Sequence, residues 1–174
     1  MFFIIKYCKH ISWIFISILF LHNLQSQNSA AFCYYSQREF DSDTCCWRQL
    51  LKQDSFIQAA NLILAFKACH KPKENIHSLN WHAGQMFAYE GMNHEAKHYF
   101  KKTFNIFTKW FGGKEGLEWY LYAKGTVAFL DRRKATLDKI INRWDKKLSK
   151  NLNYNVLFIL NSNFDSSYRS LFKE

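Results

Sequence analysis

Apolar positions from residue 43 onward recur every three or four residues, the spacing of helices with one buried face. Asp43 or Thr44 is expected to cap a helix reaching about Gln53. Asp54 or Ser55 opens a second, in which Phe56, Ala59, Ala60, Ile63, Leu64 and Ala68 share a face. Residues His70 to Asn75, with the sole proline at Pro72, read as a loop. A third helix is predicted from Ile76 to Glu90, ending at Gly91, and a fourth from an Asn93 cap to about Thr108. On that fourth helix Ala96, Phe100, Thr103 and Phe107 fall on one side and are expected to be buried. Trp110 to Gly116 reads as a glycine-rich turn, followed by helices over Leu117–Leu130 and Lys134–Leu148. Asn151 to Asn155 breaks the pattern before a last helix, Val156–Leu160, and a polar tail. No segment alternates as a strand does, so the expected fold is all-α.

The third and fourth helices carry Gly84, Phe87, Gly91, Ala96 and Phe100 at spacings that resemble one tetratricopeptide repeat. Small residues at Gly84 and Ala96 let two helices approach, Gly91 turns the corner, and Phe87 with Phe100 fills the space between. Trp81 stands one place from the family's usual tryptophan, Thr103 replaces the second alanine, and no proline closes the repeat. The match is specific over residues 78–108 and weaker over 43–148. A shift of 40 residues aligns Gly91 with Asp131 and Phe100 with Ile140, and a shift of 36 aligns Ala96 with Ala60. Repeats of this kind have periods near 34 and need about three copies for stability. The resemblance implies stacked antiparallel helix pairs; an irregular helical bundle is the alternative. It further implies a concave surface on which Trp81, Gln85, Tyr89, Trp119 and Tyr122 contact a protein or peptide, unless those aromatics are simply core.

The first 31 residues are of another kind. Lys6 and Lys9 precede an apolar run, Ile11 to Leu21, and small residues around Ser29 and Ala31 follow. That order describes a secretory signal peptide. Eleven apolar residues are short for a membrane span of roughly 20, and an uncleaved anchor is the rival reading. The expected division is a signal peptide at 1–31 and one domain at 32–174, exported to the periplasm or beyond the cell, with no stable span after cleavage.

Removing the leader lowers the formal net charge from +10 to +8. The surplus favours acidic partners, but the basic residues are scattered in small groups and no nucleic-acid partner is expected. Cys33, Cys45, Cys46 and Cys69 remain, an even number that permits disulfides. Cys69 is expected to pair with one of the other three, and the adjacent Cys45 and Cys46 to meet different partners. Free or buried thiols are the alternative.

One motif suggests an enzyme. His94-Glu95-Ala96-Lys97-His98 has the H-E-x-x-H form of zinc peptidases, with Glu118 available as a third ligand. Against this, Ala96 and Phe100 define the buried face, which leaves His94 and His98 toward water. Lys97 would also set a cation beside the metal. No metal, cofactor or catalytic residue is therefore expected, and a binding or scaffolding module leads a small metallopeptidase.

Overall fold

The computed structural model describes residues 32–70 and 75–172. The expected signal peptide and most of the loop around Pro72 lie outside them. All regular structure among the described residues is helical. After a 3₁₀ turn at Phe32–Tyr34 come α1 (Gln37–Phe40), α2 (Cys46–Lys52), α3 (Phe56–His70), α4 (Ile76–Tyr89) and α5 (Asn93–Lys101). They are followed by α6 (Ile106–Phe111), α7 (Gly113–Leu130), α8 (Lys134–Lys147), α9 (Leu152–Ser162) and α10 (Tyr168–Phe172). None of the described helices is long and apolar enough to cross a membrane.

Packing follows chain order. Helix α3 lies against α2 and α4, α5 against α4 and α7, and α8 against α7 and α9. Contacts that skip a helix join α5 and α9 to α7, and α10 returns to α4. One continuous apolar core runs through these contacts, from Trp47 and Phe66 to Trp144 and Leu160.

The α4–α5 pair is built as its spacing predicts. Gly84 lies under the Phe100 ring, so closely that an added Cβ would stand 2.7 Å from two ring carbons. Ala96 and Phe100 are fully buried, and Phe87 stacks on Tyr99 at 5.5 Å. At the corner Gly91 adopts a φ of 78°. The Gly91 amide donates to Ala88 O at 3.1 Å and the Met92 amide to Phe87 O at 2.9 Å. These paired bonds close a helix end through a left-handed residue.

The same corner ends α7. Arg132 has a φ of 55°, its amide donates to Phe129 O at 2.9 Å, and the Arg133 amide donates to Ala128 O at 2.8 Å. The residue equivalent to Gly91 is thus Arg132 rather than Asp131, one place beyond the sequence alignment. An arginine is tolerated in this left-handed position while its guanidinium donates to the carbonyls of Phe164 and, at 3.1 Å, Ser166.

Other boundaries move for local reasons. Asp43 and Thr44 stay in the turn before α2, where the Asp43 carbonyl accepts from the side chains of Gln49 and Lys52. Asn93 is the first residue of α5, and Met92 precedes it as the cap. Helix α5 stops at Lys101 rather than Thr108, and just beyond its end the Thr103 hydroxyl donates to Phe100 O at 2.8 Å. That side-chain bond competes with helix continuation. Asn105 then starts α6 by accepting from the Thr108 amide at 2.9 Å. The break turns Phe107 outward instead of into the core. Most of the expected turn at Trp110–Gly116 is helical, in the end of α6 and the start of α7. Asn151 likewise caps α9 by accepting from Tyr154 N, so the segment expected to break the pattern begins a helix. The expected polar tail contains α10.

Cys69 pairs with Cys33, their Cα atoms 5.8 Å apart. Cys45 and Cys46 pair with each other rather than with separate partners. Cys46 has a φ of 56°, which departs from the regular helix that would point the two thiols apart.

Adding a methyl group at Gly84 must push Phe100 from its seat. Gly84→Ala is expected to destabilise the chain by about 1–3 kcal/mol, the usual cost of overpacking, measured as a lower urea midpoint. An unchanged midpoint would show that the helices have room to separate.

Candidate functional site

Helix α4 presents Ser78, Trp81, His82, Gln85 and Tyr89 at three- and four-residue spacing, a continuous strip along one side. Trp81 lies nearest the next helix pair. Its ring centroid is 4.4 Å from Phe100, 4.9 Å from Trp119 and 4.8 Å from Tyr122. Trp119 is held from behind, its indole N–H donating to Thr103 O at 2.7 Å. Of the five residues singled out from the sequence, these three meet directly, and Trp81 and Tyr122 are buried.

The strip divides into two parts. Toward the start of α4, Trp81, Trp119 and His82 border a hollow of about 600 Å³. Asn75, His77 and Ser78 complete its α4 side, and Thr103 and Thr108 its opposite side. The volume lies within the range of small-ligand and side-chain pockets. Toward the end of α4, Tyr89 meets Tyr168 of α10 at 5.4 Å, and Tyr168 also hydrogen-bonds Gln85. The chain's own C-terminal helix thus covers the part of the strip formed by Gln85 and Tyr89.

His82 links the two parts. Its Nδ1 lies 2.9 Å from Gln85 Oε1, and its ring packs on Trp47 at 4.7 Å. Burial lowers its pKa below the usual imidazole value; the hydrogen bond to Gln85 and the charge of Asp41 act upward, and Arg48 acts downward. Burial also raises the phenols of Tyr89, Tyr122 and Tyr168. The strip therefore offers neutral donors and acceptors on an aromatic wall.

His94 and His98 are exposed on α5, and His94 stands 4.0 Å from Glu95 in a surface contact. Glu118 is bound instead to Asn151 Nδ2 at 2.8 Å and lies 3.9 Å from Lys114. Among the described residues no three His, Cys, Asp or Glu side chains gather as a metal site. Lys97, the inner residue of the motif, bonds Asp131 at 2.5 Å and ties α5 to the end of α7.

Ser78 was within reach of the sequence, standing three residues before Trp81 on the same face. Thr108 was not, because the break after Lys101 re-aims it. Tyr168 carried no signal apart from being an aromatic in a polar tail. No family model, curated protein or solved structure matches the chain.

Two measurements follow. Tyr168→Ala removes a buried ring and is expected to cost about 3 kcal/mol, read in urea unfolding; a loss near zero would mean that α10 does not seal α4. His82 is favoured neutral in the folded chain, so its contribution is complete above its unfolded pKa of about 6.5. That contribution declines as pH falls from there through the lower folded pKa. His82→Gln should flatten the fall in stability just below pH 6.5, and equal slopes in the two proteins would contradict the assignment.

Proposed function

We propose that the chain is an exported helical-repeat module of tetratricopeptide type that binds a protein or peptide segment along the α4–α7 face. Three features support the architecture. Helices α3, α4 and α5 pack in succession, as do α7, α8 and α9, with α5 joining the two groups through α7. The same left-handed corner recurs at Gly91 and Arg132. Gly84 and Gly125 each admit a neighbouring side chain, Phe100 in one pair and Leu157 beside the other. Export is supported by the leader composition and by the Cys33–Cys69 pairing, since disulfides persist in oxidising compartments.

The observation that carries the binding reading is the hollow walled by Trp81 and Trp119. Rigid indoles beside hydroxyl and imidazole groups suit the anchor side chain of a peptide. The mature net charge favours a segment that is acidic overall.

A peptide array displaying apolar anchors in acidic and basic contexts tests this directly, with tryptophan fluorescence as the solution readout. Saturable binding of acid-flanked peptides is expected. Ser78→Arg, which fills the hollow from the half-buried first turn of α4, should weaken it at least ten-fold without lowering the melting temperature. Peptides that bind equally well to Ser78→Arg, or no saturable binding in any context, would end this reading.

A further inference from the structure

Helix α6 is turned inside out. Ile106, Phe107, Trp110 and Phe111 are 59%, 69%, 68% and 82% exposed, and no residue of the helix is buried. At 100° per residue these four occupy one arc of about 140°. Thr108 faces the other way, bordering the hollow beside Trp119. A surface helix ordinarily turns its apolar stripe to the core; here that stripe faces water. The orientation is built in, because α6 rests on α7 through the Thr108 backbone. A Cβ on Gly116 would stand 2.4 Å from Thr108 O, so only a glycine permits this seating. Phe107 and Phe111 stack on each other at 6.2 Å and extend the apolar edge.

The chain that carries this edge is basic. Residues 101–114 contain Lys101, Lys102, Lys109 and Lys114 and no acid. Lys109 and Lys124 both lie over the Tyr120 ring beside α6, at 5.6 Å and 5.4 Å. Glu115 is the first acid beyond, and Glu118 is engaged by Asn151.

We propose that α6 is a membrane-docking element that seats this face on an anionic phospholipid surface. Large apolar side chains, including an indole, enter the headgroup boundary while lysines at the rim meet lipid phosphates. A bilayer accepts a projecting apolar edge of any shape, whereas a protein partner must supply a pocket fitted to it. A second copy is disfavoured, because two-fold pairing of the same face would set one lysine rim against another. The element lies on the membrane and does not span it.

The test is co-sedimentation of the full chain with vesicles of phosphatidylglycerol and phosphatidylcholine, and with phosphatidylcholine alone. The leader is common to wild type and variants, so differences between them report on α6. The triple change Phe107→Ser, Trp110→Ser and Phe111→Ser is expected to lower partition into anionic vesicles about ten-fold or more. Lys102→Gln, Lys109→Gln and Lys114→Gln together should lower it by about five-fold for each lysine. Apart from half-buried Lys109, both variants change exposed side chains and should keep the wild-type melting temperature, and the lysine set stands by itself if the aromatic set does not fold. Anionic-vesicle binding equal to wild type in the folded variants overturns the proposal, as does a wild type that ignores anionic lipid. Self-association or acidic-protein binding that the aromatic set abolishes, with vesicle binding left intact, would assign the face to a protein partner instead.

Discussion

A single indole sets the relation between the middle helix pair and the next. Trp81 touches Phe100 within its own pair and Trp119 and Tyr122 beyond it, so the seat of α7 depends on where α4 places that ring. Aromatic pairs at these separations add roughly 0.5–1.5 kcal/mol each beyond the area they bury. The placement rests in turn on Gly84, which lets Phe100 descend far enough to support Trp81. The Lys97–Asp131 ion pair joins α5 to the end of α7, so a second, polar contact holds the same two pairs in register.

The hollow is a by-product of that junction. Helix α5 ends early at Lys101, and the chain crosses to α7 through the short α6 instead of filling the space beside Trp119 with another helical turn. The Thr103 hydroxyl donates back to Phe100 O while its carbonyl accepts from the Trp119 indole, so one residue ties the end of α5 to the wall of the cavity.

Patterns that depend on local spacing could be read from the chain, and those that depend on distant partners could not. Helices α3, α4, α7 and α8 follow from apolar periodicity, and the α4–α5 corner from Gly91. The matching corner at Arg132 was hidden, because an arginine gives no sign of a positive φ; distant carbonyls of Phe164 and Ser166 make its guanidinium worth placing there. Asparagines mislead for a similar reason. Asn105 and Asn151 break one helix pattern and cap another, and only backbone geometry tells these roles apart. Periodicity carried through Thr103 assigned Phe107 to the core, although the helix ends at Lys101 and a new one starts from the Asn105 cap. Among the candidate binding residues, the clustering of Trp81 with Trp119 and Tyr122 fits one shared face. The covering of Gln85 and Tyr89 by Tyr168 is a contact across more than 70 positions of sequence.

The segments before α4 and after α9 are fastened to the fold by different chemistry. Before α4, the Cys33–Cys69 bridge spans 36 positions and loops around α1, α2 and α3. In the chain-entropy view such a ring removes about 4 kcal/mol of freedom from the unfolded state. Helix α10 is held without a covalent link: Tyr168 packs on Tyr89 of α4, and Arg169 lies 4.9 Å over the Phe56 ring and 3.9 Å from Asp54. A covalent ring survives any local opening, whereas ring contacts and an ion pair do not, so release of α10 would bare the α4 strip while the bridge still holds α3.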